Sequence, residues 1–320
     1  MRNFFLMILF LFIILNIGIA SNYISYNSLN KIIIINQKGI VQKILILPIK
    51  KINDYSLYNN WIVYTGGDNS IHLFNISHEK EFQILKGPYL YKNRDDWGYE
   101  IYRNLDFCEK NNSIVFTIIP KFERTPYCIK KTVSNLYYRF QIDLSDIGLI
   151  NLKNMKFMNI TKNNKGFNSF PYISKNIVVF QKMGTIILFD LRTNKRHNLL
   201  KKYKSFFNTH KSLNFCLIKS VDDVIVFSIY NRKYTEIEKI VSYSISKKKF
   251  YLLWDNRNKE NIKINWVNLH DILKDKNELL ILENNYGIYI YNYKTSLKKL
   301  VKMVKTKRIQ FIDKQFNYTQ

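Results

Sequence analysis

The stretch "ILFDLRTNKRHNLL", residues 187–200, reads as two short strands joined by a tight polar turn. Two apolar residues lead into Phe189, and Asp190 stands at the corner. Asn194 and Lys195 follow, and then Leu199 and Leu200. The same pattern recurs in "IIIINQKGIVQKIL" (32–45), "HLFNISHEKEFQIL" (72–85), "FQIDLSDIGLINL" (140–152), "VSYSISKKKFYLLW" (241–254) and "YIYNYKTSLKKLV" (289–301). Each copy has a short polar residue at the end of its first strand: Asn36, Asn75, Asp143, Asp190, Ser244 and Asn292. Such side chains accept hydrogen bonds from the turn backbone, which suits them to a hairpin corner. The corners are spaced 39, 68, 47, 54 and 48 residues apart, a repeat rather than a set of unrelated hairpins.

The intervals are filled in a repeated way too. Ahead of five hairpins comes a β-branched or aromatic run: "WIVYT" (61–65), "IVFTI" (114–118), "IVVFQ" (177–181), "VIVFS" (224–228) and "LLILE" (279–283). Ahead of those lies a further strand, clearest in "NLDFC" (104–108) and "SLNFC" (212–216), with "SFPYIS" (169–174) and "INWVNL" (264–269) in the same slot. Each unit is a four-stranded meander, a to d. One such sheet cannot bury both faces, whereas radial stacking buries them against one another. The expected fold is all-β, a single propeller of six four-stranded blades spanning 21–320. The first unit lacks room for its own a and b strands, so "RIQFID" (308–313) is expected to complete it and close the ring. No helical period stands out after the first twenty residues.

At these residues the chain resembles the TolB-type, WD40-like β-propeller repeat family. "FPYISKNIVVFQKMGTIILFDLRTNKRHNLL" (170–200) is similar to one such repeat: Pro171 beside an aromatic strand, an apolar strand, a Gly turn, and a strand ending in Asp. The family's Ser-Pro-Asp-Gly turn is replaced by "SKN" at 174–176, no blade ends in Trp-Asp, and TolB's N-terminal α/β domain is absent. The resemblance implies an exported or periplasmic protein engaged in protein–protein contact.

Composition agrees with a large core: 47% of the 320 residues are hydrophobic and 15% aromatic. The first twenty residues stand apart. Arg2 precedes the apolar run "FFLMILFLFIILNIGIA", which ends in Gly18-Ile19-Ala20, and this reads as a signal peptide cleaved after Ala20. An uncleaved membrane anchor is the alternative. The expected location is periplasmic or secreted. The net charge of +26 allows two readings. One is an anionic partner, either an envelope polymer or a lipid; the other is a compositional bias toward Lys, Asn, Ile, Tyr and Phe. Export argues against nucleic acid. The three cysteines, Cys108, Cys128 and Cys216, do not form a disulfide framework. A Cys108–Cys128 bridge is conceivable, but buried free thiols fit better.

Catalytic motifs are missing. There is no Gly-x-Ser-x-Gly, phosphate loop or dinucleotide fingerprint. His72, His78, His197, His210 and His270 are scattered, and His72 and His78 read as surface residues flanking a turn. No cofactor, metal or catalytic residue is assigned. Long loops on a rigid ring carry binding, and Arg94, Asp95, Asp96, Trp97, Arg124, Tyr127 and Arg257 are of the types enriched at interfaces. The expectation is therefore a non-enzymatic, exported module that binds or scaffolds another envelope protein. The alternatives are a propeller-class enzyme acting on glycans and an electrostatic adaptor for anionic polymer or lipid.

Overall fold

The structure, a computed structural model, describes residues 23–58, 60–87, 98–121, 145–161, 168–210, 213–230, 237–255, 269–273, 278–283, 287–295, 297–306 and 309–312. Their strands form six four-stranded antiparallel sheets. Blade 1 joins β1 (Tyr23–Ser28), β2 (Lys31–Ile35) and β3 (Val41–Ile46) to the C-terminal β24 (Ile309–Ile312), in the order β24-β1-β2-β3. Blade 2 is β4 (Ile52–Tyr58), β5 (Trp61–Gly66), β6 (Ile71–Asn75) and β7 (Lys80–Leu85). Blade 3 is β8 (Gly98–Cys108), β9 (Ser113–Lys121), β10 (Asp146–Asn151) and β11 (Lys156–Asn159). Blade 4 is β12 (Asn168–Ser174), β13 (Ile177–Lys182), β14 (Thr185–Asp190) and β15 (Lys195–Asn198). Blade 5 is β16 (Asn214–Val221), β17 (Val224–Tyr230), β18 (Ile237–Ser244) and β19 (Lys249–Asp255). Blade 6 is β20 (Leu269–Leu273), β21 (Glu278–Glu283), β22 (Gly287–Asn292) and β23 (Leu297–Met303).

Six buried apolar clusters lie between the blades, one at each interface, including those joining blade 6 to blade 1 and blade 1 to blade 2. That makes the molecule a closed six-bladed propeller. Ring closure runs as expected through β24, whose Tyr23↔Ile312 to Tyr26↔Ile309 register with β1 puts both chain ends in one sheet.

The corner chemistry is the one expected. Side-chain oxygens of Asn36, Asn75, Asp190, Ser244 and Asn292 each accept a backbone N–H from two to four residues on. Blade 3 departs from the expectation. Its corner is Asn151, which accepts from Lys153 N at 2.9 Å, and not Asp143, which lies outside the described residues. "DIGLIN" is the third strand of this blade rather than a turn and its return, because Gly148 allows close packing: a Cβ there would come within 2.6 Å of the Phe116 ring. In blade 6 the first strand is "LHDIL" (Leu269–Leu273), later than the expected 264–269.

A second departure is α1 (Leu199–Phe206), the one α-helix among the described residues. The strand of the opening stretch ends at Asn198, whose side chain caps the helix by accepting from Lys201 N. Leu199 and Tyr203, one helical turn apart, bury themselves between blades 4 and 5. Among the described residues no helix is long and apolar enough to cross a membrane, and residues 1–22 lie outside them.

Candidate functional site

The first strands of consecutive blades touch one another, β4 with β8, β8 with β12, β12 with β16, β16 with β20 and β20 with β24, which places them around the axis of the ring. Five of the first strands carry a β-bulge against their neighbours. Beyond the bulge, Asp106, Tyr172, Lys219 and Asp271 take matching places opposite Val115, Val179, Val226 and Leu280. Their side chains reach the next blade. Asp54 accepts Asn104 N–H, and Asp106 accepts Ile173 N–H at 2.9 Å. Tyr172 Oη donates to Ile218 O at 2.6 Å, and Lys219 Nζ lies 3.2 Å from Asp271 Oδ1. This polar girdle links blades 2 through 6 in sequence. Three of its members are carboxylates at the ring's axis, yet each is bound to a backbone N–H or to an ammonium group. Each thus ties its blade to a neighbour.

A different group of acids converges. In blade 2, His72 on β6 lies stacked on the ring of Tyr64 on β5, 5.1 Å between centroids and 13° between planes. Its Nε2 is 3.2 Å from Asp68 Oδ2, and its Nδ1 is 3.0 Å from Glu81 Oε1 without the alignment of a hydrogen bond. Tyr64 Oη donates to the same Glu81 oxygen. The two carboxylates thus flank one imidazole. Local structure explains the placement. Asp68 lies in the corner between β5 and β6, four residues before His72, and the bulge between Ile71 and His72 adjusts the register with β7, which carries Glu81.

Burial separates the roles of these groups. Tyr64 and His72 are buried, whereas the Asp68 and Glu81 side chains are 46% and 28% exposed. Burial pushes the Tyr64 phenol well above its ordinary range, and its bond to Glu81 and the charges of Glu81 and Asp68 push the same way, so it stays protonated as a donor. Burial also acts to raise Asp68, but hydrogen bonds from Ser70 and the proximity of His72 outweigh it and hold the carboxyl below its ordinary range. Ser70 accepts from Gly87 N and Gln83 Nε2 as well, tying the corner to the end of blade 2. The group can therefore offer two partly exposed carboxylates, held by a buried ring and a buried phenol, for proton transfer.

None of the sequence-predicted interface residues can be placed against it. Arg94, Asp95, Asp96, Trp97, Arg124, Tyr127 and Arg257 all lie outside the described residues, as does Cys128. Gly87, bonded to Ser70, is the last described residue before residues 88–97, which include the first four. The reading of His72 as a surface residue is corrected: the relevant spacing is Asp68 to His72, not His72 to His78. His78 bonds to Asn75 within its own corner. Cys108 and Cys216 are buried and free, as expected.

No family model matches the chain, and no curated protein matches it. Solved structures do. An oligogalacturonate lyase in complex with manganese aligns over 85% of this chain and 70% of its own, at 12% identity and a TM-score of 0.52. An oligogalacturonate lyase from Vibrio parahaemolyticus aligns over 89% of this chain and 80% of its own, at 10% identity and a TM-score of 0.51. The likeness is one of fold. It corrects the expectation of a non-enzymatic scaffold, because both of these propellers are enzymes of a class acting on glycans, the alternative weighed above. As for the first neighbour's manganese, no group of three or more His, Cys, Asp or Glu among the described residues is placed to hold a metal ion, so no metal site is assigned.

Proposed function

We propose that this chain is an enzyme acting on an acidic glycan, exported from the cell and built from TolB-type repeats. The observation that carries the reading is the match of nearly the whole ring to two oligogalacturonate lyases. A galacturonate chain bears a carboxylate on each sugar, and a protein of net charge +26 attracts such a polyanion. In a lyase reaction the proton α to the sugar carboxylate leaves, the glycosidic C–O bond at the β carbon breaks, a C=C bond forms, and the departing oxygen takes up a proton. Asp68 and Glu81 are the proton-transfer groups of this reading; His72 and Tyr64 position them.

The test is product analysis with purified protein. Oligogalacturonate, other uronate chains and neutral chains are incubated with and without added divalent metal. Elimination yields fragments whose masses sum to that of the substrate, one of them bearing a new ultraviolet-absorbing double bond; hydrolysis adds one water. Cleavage of an acidic chain and sparing of neutral ones is the expected result. Glu81→Gln is expected to lower kcat by on the order of a hundredfold or more, the usual contribution of a proton-transfer group. No turnover of any acidic glycan under any of these conditions would overturn the proposal.

A further inference from the structure

The insertion of α1 leaves a mark on the outside of the ring. Tyr203 plugs the seam between blades 4 and 5, with edge contacts to Phe215 at 5.4 Å and Phe250 at 5.3 Å. The two aromatic residues three and four positions beyond the plug are not buried. Phe206 and Phe207 are 49% and 45% exposed and stand against Phe250, 5.3 and 6.0 Å away. Leu252, two residues from Phe250 on β19, is 53% exposed. The plug itself is needed to fill the seam, but folding does not need two phenylalanines at the surface.

The segments that carry this apolar knob are rich in lysine, with Lys202 over the Tyr243 ring at 5.8 Å and Lys249 over the Tyr251 ring at 5.9 Å. Lys201, Lys202 and Lys204 come from the helix, and Lys247, Lys248 and Lys249 from the neighbouring corner and strand. Residues 195–210 and 245–254 contain no Asp or Glu. None of these six lysines forms an ion pair among the described residues. Asp223, the carboxylate nearest the corner, is engaged by Ser244 and Ser246. Lys202 and Lys248 are close enough that partial burial and the charge of Lys248 together lower the ammonium pKa of Lys202. Like charges held together without a counter-ion favour an anionic surface.

We propose that the knob formed by Phe206, Phe207 and Leu252, with its lysine-rich segments, docks the propeller on an anionic lipid bilayer. Two features favour lipid over an acidic glycan. The rings of Phe206 and Phe207 are steeply inclined, 68° to each other, and Phe206 is inclined 65° to Phe250, so they offer no flat platform for sugars to stack on. They also have no polar atom with which to bond a hydroxyl. An apolar wedge on lysine-rich segments is what the interface of an anionic bilayer accepts. The inference is independent of the proposed enzymatic activity.

The test uses the purified chain with a reporter at the knob. In the Phe206→Trp variant, emission in excess of the wild type is expected to shift to the blue and to be quenched by brominated acyl chains. This is expected with phosphatidylserine-containing vesicles and not with phosphatidylcholine alone. Phe207→Trp serves as a second reporter should the first fail to fold. Lys202→Glu with Lys248→Glu is expected to weaken vesicle binding, with each lysine removed costing roughly fivefold. The matched change Lys153→Glu with Lys156→Glu on blade 3 is expected to alter it little. A reporter that stays unshifted while the protein sediments with vesicles overturns the proposal. So does an equal loss from the blade 3 pair, which would assign binding to net charge, or a reporter that responds to soluble polygalacturonate and not to lipid.

Discussion

Replacing Asp106 tests whether the polar girdle holds the blades together. Its carboxylate accepts Ile173 N–H at 2.9 Å across the interface of blades 3 and 4, and Ile173 is buried in that interface's apolar cluster. Truncation to Ala leaves the backbone N–H of buried Ile173 without this partner. A hydrogen bond to a charged group contributes about 1.5–3 kcal/mol, and a buried group left unsatisfied costs about 1–3 kcal/mol. Asp106→Ala is therefore expected to cost about 2–3 kcal/mol. Asp106→Asn keeps an oxygen in place and loses only the charge assistance, about 1 kcal/mol. Asp106→Leu restores the volume but not the acceptor and is expected to fall with Ala. Urea titration followed by far-ultraviolet circular dichroism, at matched m-values, measures all three. If Leu retained wild-type stability while Asn did not, packing rather than the hydrogen bond would hold the seam, and the girdle would be a coincidence of register.

Gly148→Val is expected to destabilise blade 3 by about 2 kcal/mol or more, since its Cβ would press on the Phe116 ring; a thermal melt measures it, and an unchanged Tm would disprove the close approach. Cys216, whose thiol is pushed up to about 12 by burial, is expected to react with a thiol reagent only after unfolding, and fast labelling of the native protein would contradict the packing around it. Burial acts to raise Asp223, but hydrogen bonds from Ser244 and Ser246 outweigh it and leave its pKa depressed. Its contribution is therefore complete above the unfolded value of about 3.9 and is lost as pH falls through the lower folded value. Replacing Asp223 with Asn should reduce the acid sensitivity of unfolding in that window, and an unchanged pH dependence would show that the corner contributes nothing to it.

What could be read from the sequence follows from the range of the interactions. The corners at Asn36, Asn75, Asp190, Ser244 and Asn292 are local: the side chain bonds to backbone within four residues, so residue type and spacing carry the signal. The second strands are β-branched runs buried on both faces, which again is a local pattern. Blade 3 misled because "FQIDLS" alternates as well as "DIGLIN" does, and the fit of Gly148 against Phe116 of the neighbouring strand is not visible in the local pattern. The helix was hidden because Leu199-Leu200 continues an apolar rhythm, and only the cap at Asn198 turns it. The girdle was invisible for a different reason. Asp54, Asp106 and Asp271 look like ordinary polar residues on strands until the next blade supplies their donors. His72 had a readable clue in Asp68, four residues earlier, but Glu81 joins it only through the register of β6 with β7.

These two polar systems bear on each other through the scarcity of acid. The chain has 24 acidic residues against 50 Lys and Arg. Among the described carboxylates, Asp54 and Asp106 serve backbone donors, Asp271 and Asp255 are paired with Lys219 and Lys239, and Asp190 and Asp223 close corners. Structural duties thus engage these six carboxylates. Asp68 and Glu81 are arranged differently, as two partly exposed carboxylates beside one buried imidazole. Each also has a local partner: Asp68 accepts Ser70 N–H, and Glu81 accepts the hydroxyl of buried Tyr64. The proposed proton transfer needs two such acids, and because Glu81 also holds the Tyr64 hydroxyl, the Glu81→Gln assay is to be read beside a thermal melt of the same variant.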